Sequence, residues 1–227
     1  NEYCYFIFYI INKFMPDFQK EKLLVLEFLN AIDNANDDNL VEIISKYTSK
    51  NFNMKCTHPF NELKGADKIA KYLWSPIKKS FKPIQRRMDI FYAGTNLVDN
   101  HSSKWVVNMG HLLGSFNNPF HGIEPTKKTV MLWYCEFYRV ENNKITEGAF
   151  FLDILKFMQH LKLSVVPDST GMVGFNPGPK THDGLYFEKQ SEEEGNKTLN
   201  LMMRMANRLI GEGMRTTVSD LEKDWHE

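Results

Sequence analysis

The chain has 227 residues, 42% of them hydrophobic and 13% aromatic, enough to bury the core of one domain plus an extension or of two small domains. Lys+Arg and Asp+Glu balance at 28 each, which excludes a global basic field for nucleic acid and an acidic tail for a basic partner. The three cysteines, Cys4, Cys56 and Cys135, are scattered, so no disulfide framework or structural zinc site is expected, and a reducing cytoplasm is the default location.

The first stretch, "YCYFIFYIINKF", is too short to span a membrane and lacks the basic region and cleavage site of a signal peptide. Residues 1–17 are therefore set apart as an N-terminal extension. Residues 1–14 read as sequence foreign to the domain, with Met15 as a natural start; the alternative is an edge strand covering apolar surface. Residues 18–35 predict a helix, with Leu24, Phe28, Ile32 and Ala35 on one stripe and Asp17 as its cap. Leu40, Ile43, Ile44 and Tyr47 predict a second, shorter one. "FNMKCTHPF" reads as a short strand. Gly65 opens a helix over 66–73, and Ser75-Pro76 restarts one with Ser75 as N-cap.

From residue 84 the texture turns to β. "RRMDIFYAG", "KWVVNMGHLLGSF" and "KKTVMLWYCEFYRV" read as strands. Asn142-Asn143, tolerant of positive φ, joins the last of these to "KITEGAFFLD" as a hairpin. Residues 154–162 read as a helix. Gly and Pro then crowd "VPDSTGMVGFNPGPKTHDG", and residues 166–195 are read as a linker or extended loop. An apolar helical pattern returns over 196–210, within a C-terminal segment 196–227. Helices followed by a run of antiparallel strands imply an α+β arrangement, with a curved sheet packed on N-terminal helices. The space between such layers is a usual place for a small apolar ligand.

Asp153, set among Phe150, Phe151, Leu152, Ile154 and Leu155, admits two readings. It can cap the helix that follows, or it can serve as a general acid/base whose pKa is raised by apolar surroundings. His111 shares parity with Trp105, Val107 and Met109, so all four face one side. If that side is the cavity, His111 can orient a substrate oxygen and Trp105 and Trp133 can wall a pocket for a flat ligand; otherwise they are plain core. Glu147, Ala149, Phe151 and Asp153 share parity along the last strand. His58 and His121, in a short strand and a loop, are weaker candidates. No HxxxH or HxH spacing occurs, so no metal is expected, and no nucleotide-binding glycine loop or nucleophile elbow is present. "KPIQRR" reads as a solvated strand edge.

The ordered set Gly110-His111, Gly114, Gly122-Ile123-x-Pro125-Thr126, Phe137-Tyr138-Arg139-Val140, Lys144-Ile145-Thr146-Glu147 and Asp153 with Leu155 and Gln159 resembles the SnoaL-like polyketide cyclases of the nuclear-transport-factor-2-like (NTF2-like) fold. The resemblance covers about 20–163 and implies a cone-shaped domain over residues 18–165. It implies cofactor- and metal-free aldol cyclase or isomerase chemistry on a small apolar or aromatic carbonyl compound. Asp153 would be acid/base and His111 an orienting group; Trp105, Trp133, His58, Glu147 and Phe151 would contact substrate. One departure stands out: where the family often carries Glu-His-Trp, this chain has Glu147-Gly148-Ala149. A pocket wall is lost, so either the ligand differs or catalysis has lapsed. Two further readings follow, a non-catalytic small-molecule binder and an interaction module that forms a homodimer through the sheet. The last of these predicts a cavity filled by side chains and an exposed apolar sheet face. "PGPKTHDGL", the helix after it and "DWHE" resemble the opening of a second, tandem copy of the domain. No nucleic-acid or membrane partner is implied.

Overall fold

The computed structural model describes residues 18–163 and 178–212, with isolated positions 167, 170, 217, 219 and 222. The expected Asp17 cap and the N-terminal stretch lie outside the described residues. The chain divides into two compact units at 187/188.

The first unit opens with helix α1 (Gln19–Asn34), entered from Phe18 in a left-handed conformation with no side-chain cap. Its buried stripe is Val25, Phe28, Leu29 and Ile32, with Leu24 only partly buried. Helix α2 (Leu40–Tyr47) buries Leu40 and Ile44. Strand β1 (Thr48–Cys56) is followed by a short strand that sequence patterning misses, β2 (Glu62–Lys64). Its three residues give too little alternation to read. Next come α3 (Ala66–Ile69), a π-helical turn (Ala70–Trp74) and α4 (Ser75–Ser80). Ser75 is not the expected N-cap: Trp74 before it is already helical and the winding runs straight through. The wider π turn absorbs an extra residue where a break was anticipated.

The sheet is built from β3 (Ile84–Thr95), β4 (Lys104–Ser115), β5 (Thr129–Glu141) and β6 (Lys144–Leu152), with β1 and β2 added, in the order β2-β1-β6-β5-β4-β3. All pairs are antiparallel except β1 with β6. The β5–β6 hairpin turns on Asn142 and Asn143, with φ of 49° and 59°, the left-handed pair that matches strand twist. Bulges at Met88/Ile90 and at Arg139/Val140 curve the sheet. Helix α5 (Ile154–His160) closes one end, its Phe157 fully buried.

The core lies between helices and sheet. Strand β5 alternates strictly: Val130, Leu132, Tyr134, Glu136, Tyr138 and Val140 are buried, while the residues between them are part-exposed. Toward α5 the interior is an aromatic plug. Phe81 packs at 5.1 Å from Phe116, 4.8 Å from Phe120 and 5.4 Å from Phe157. Phe60 and Trp74 extend it through Phe150.

Part of the expected linker departs from a free loop: residues 184–186 pair with Phe91 of β3. The second unit holds helix α6 (Glu192–Glu212), longer than the pattern over 196–210 implies. Ser191 Oγ accepts from Glu194 N and three glutamates occupy the first turn, so the helix begins well before its apolar residues. Leu199, Met202, Leu209 and Ile210 are exposed on it. Among the described residues no helix is long and apolar enough to cross a membrane.

Candidate functional site

Two groupings of chemistry-bearing side chains emerge on opposite faces of the sheet. The inner one is a polar cluster in an otherwise apolar layer. Arg86 of β3 donates from Nε to Asp33 Oδ2 at 2.9 Å and from Nη1 to Glu136 Oε2 at 2.9 Å. Asn108 Nδ2 donates to the same Glu136 oxygen at 2.9 Å, and Tyr134 Oη to Asn108 Oδ1 at 3.3 Å. The guanidinium carbon lies 5.4 Å from the Trp74 ring centroid and 4.9 Å from that of Tyr134, so two aromatic faces help compensate its lost hydration. At the end of α1, Lys78 Nζ donates to the carbonyls of Ile32 and Asp33, both at 2.8 Å, satisfying helix-terminal acceptors.

Burial dominates the electrostatics. It pushes the Glu136 carboxyl above its ordinary range, against the pull of Arg86 and the Asn108 hydrogen bond. It draws the Lys78 ammonium down. Arg86 stays charged, because Glu136 and Asp33 outweigh its desolvation. Arg86 Nη2, Glu136 Oε1 and Tyr138 Oη are buried without a hydrogen bond of good geometry. The cleft beside the cluster, lined by Ile32, Asp33, Trp74, Lys78, Arg86 and Leu112 among others, has a volume of about 10 Å³, close to the space of a single water.

The outer face carries most of the residues singled out by sequence, and there they do not line the space between the layers. Trp133 is the register partner of His111, and Asp153 N–H donates to Trp133 O at 2.9 Å. These three therefore fall in one row across the sheet. His111 Nδ1 lies 3.3 Å from Asp89 Oδ2, and its ring centroid is 5.1 Å from that of Trp133. Asp89 is the extra residue of the β3 bulge, which turns its carboxylate toward His111. Asp153 is exposed and caps α5, its Oδ1 accepting from Lys156 N at 2.8 Å.

A second row holds Trp105, Arg139 and Glu147, partners across β4, β5 and β6. Trp105 Nε1 donates to Ser103 Oγ, and Glu147 pairs with Arg139 at 3.4 Å. Phe151 is half-exposed against Phe137. His58 stands apart, exposed in the turn after β1 rather than within a strand. His121 packs edge-on to Phe60 and Phe120. Burial, with a contribution from His58, lowers its pKa. The thiols of Cys56 and Cys135 are pushed up by burial, to about 12 and about 11, which leaves them poor nucleophiles. Among the described residues no group of three or more His, Cys, Asp or Glu could hold a metal ion.

Sequence reading missed Asp33, Arg86, Asn108 and Glu136. One signal was available: Glu136 stands at the same parity as Val130, Leu132 and Val140, an acid in an apolar strand face.

No family model and no curated protein sequence matches the chain. Solved structures do. AclR, a candidate hydroxylase from Streptomyces galilaeus, matches with a TM-score of 0.51 at 20% identity, over 65% of this chain and 86% of its own. A candidate SnoaL-like polyketide cyclase from Jannaschia sp. CCS1 matches at 0.47 and 14% identity, over 64% of this chain and 94% of that one. IdmH, a candidate polyketide cyclase from Streptomyces antibioticus, matches at 0.48 and 11%, over 60% and 96%. At such identities the likeness concerns the fold. The chain is an α+β protein with a curved, open six-stranded sheet packed on helices, an NTF2-like arrangement similar to that of AclR.

Proposed function

We propose that the first unit is an interaction module that pairs with a second copy of itself through the outer face of the sheet. The observation that carries this reading is a reversal of where room and apolar surface lie. The cleft beside Arg86 between the layers has a volume of only about 10 Å³, whereas the outer face exposes Tyr92, Met109 and Phe151 at 42%, 41% and 50%. Part-exposed Trp105, Trp133 and Phe137 stand on the same face. Charges of both signs border it, with Arg139, Glu141 and Glu147 toward one end and Asp153 and Lys156 toward the other. An apolar centre with a mixed-charge rim suits a self-complementary, two-fold contact.

Sedimentation velocity of the full chain across the micromolar range tests the proposal. Wild type is expected to run as a dimer, and Met109→Glu/Phe151→Glu as a monomer with an unchanged circular dichroism spectrum. A monomeric wild type at the highest concentration would sink the proposal.

The enzyme reading, in which Asp153 acts as acid/base on a small apolar carbonyl substrate, keeps one supporting observation: Asp153, Trp133 and His111 share a row. Against it, Asp153 is engaged as a cap, and the cleft beside Arg86 is too small for a ring. Chemical denaturation of Asp153 variants separates the roles. As a cap alone, Asp153→Asn is near neutral and Asp153→Ala loses about 1 kcal/mol. If both variants are more stable than wild type, the carboxylate is held at a cost, as in a catalytic site.

A further inference from the structure

The edge of β3 that faces away from β4 is covered by a short segment of the chain itself. Beyond β4, the backbone of β3 pairs among the described residues only with residues 184–186, in a parallel bridge between Phe91 and Leu185. Phe91 N–H donates to Gly184 O at 2.8 Å, and Tyr186 N–H donates to Phe91 O at 2.7 Å. Side chains flank this short ladder. Leu185 packs against the core, and the Phe187 ring sits 5.4 Å from that of Phe91. Lys22 of α1, only 5% exposed, donates from Nζ to Tyr186 O at 2.8 Å.

The approach is close enough to demand glycine. A Cβ on Gly184 would lie 2.7 Å from Asp89 O, and one on Gly178 would lie 2.3 Å from Asp89 Cβ. The main-chain bonds are indifferent to sequence. Selectivity comes from apolar seats for alternate residues, a lysine that takes the carbonyl between them, and a bulge that admits only glycine upstream. This is the division of labour used when an extended peptide adds to a sheet edge.

We propose that the β3 edge with Lys22 is a docking groove for an extended peptide lying parallel to β3, with apolar side chains at alternate positions after a glycine. Residues 184–187 are its resident occupant, held by two main-chain hydrogen bonds and one lysine contact. They immediately precede the second compact unit, which begins at Glu188. A competing segment therefore has to displace a short ladder and no regular strand.

The test uses the full chain and a fluorescent synthetic peptide of residues 180–190, KTHDGLYFEKQ. Leu185→Asp/Phe187→Asp in the chain is expected to unseat the resident segment, read as loss of hydrogen-exchange protection at the Phe91 amide. That variant should bind the peptide at least about tenfold more tightly than wild type, because a tethered competitor at high effective concentration is gone. A peptide carrying Gly184→Val should fail to bind. If the double variant unfolds by circular dichroism, Gly184→Val in the chain replaces it. An unseated groove that binds no peptide, equal binding by wild type and variant, or a Phe91 amide that stays protected would each overturn the proposal. None of these results bears on pairing through the outer face.

Discussion

Arg86→Met is expected to cost about 3–5 kcal/mol of stability at neutral pH, because it leaves Glu136 as a buried charge without its cation. Glu136 has no exposed surface, and its other oxygen already lacks a good hydrogen bond. Urea denaturation at several pH values gives the loss a signature that simple misfit would not have. The Glu136 carboxyl is raised in the folded chain, so the folded state keeps its proton to higher pH than the unfolded state. Its contribution is therefore full below the unfolded carboxyl pKa and is lost as pH rises through the folded one. Removing Arg86 raises the folded value further. The deficit of Arg86→Met should thus be largest at neutral and alkaline pH and close toward acid, as Glu136 neutralises. The double change Arg86→Met/Glu136→Leu should recover most of the loss, since an apolar replacement of a whole buried pair is often tolerated. A deficit that does not vary with pH would mean that Arg86 acts by volume and not by charge.

Gly110→Ala is expected to cost about 3 kcal/mol, at the upper end of overpacking effects. A Cβ there would lie 2.0 Å from Arg87 O, 3.0 Å from Arg87 C and 3.1 Å from Met88 Cα. All three are backbone atoms, so no side chain can swing aside. The crowding comes from the β3 bulge, which sits against Gly110. Gly94→Ala is the control: nothing lies within 4 Å of a Cβ at that position of the neighbouring strand β3, and thermal unfolding should barely move. Equal effects at the two sites would refute the steric account.

That bulge also explains what was legible in the chain and what was not. The Asn142-Asn143 hairpin could be read because positive φ at two successive residues calls for such side chains, and α2 because its four apolar residues fit one helical face. Strand parity was equally plain. Trp105, Met109 and His111 do share a side, as do Glu147, Phe151 and Asp153. Parity divides a strand into two sets without telling which set faces the core. In β4 the outer set, with Trp105, Val107, Met109 and Leu113, is more apolar than the inner one, with Val106 and Leu112, so composition points to the wrong side. Gly110 and Gly114 mark the inner set. A Cβ on Gly114 would stand 2.7 Å from Phe81 O, and close backbone approach of this kind is a property of the crowded concave side. The bulge hides the rest: one extra residue at Asp89 changes the parity of β3 partway along. Arg86 then faces Glu136 while Asp89 faces His111, and nothing in "RRMDIFY" announces the shift.

The aromatic plug has an evolutionary reading. Phe157 is fully buried, with Phe81, Phe116 and Phe120 around it at 5.4, 5.3 and 6.2 Å. In other proteins, an apolar hole of about 150 Å³ lined by such residues stays dry and takes up benzene. A domain with a hydrocarbon-sized hole and one with a filled end can thus be neighbours in sequence space, separated by the shortening of one or two rings. In this chain the space around Phe157 is occupied by its own phenylalanines.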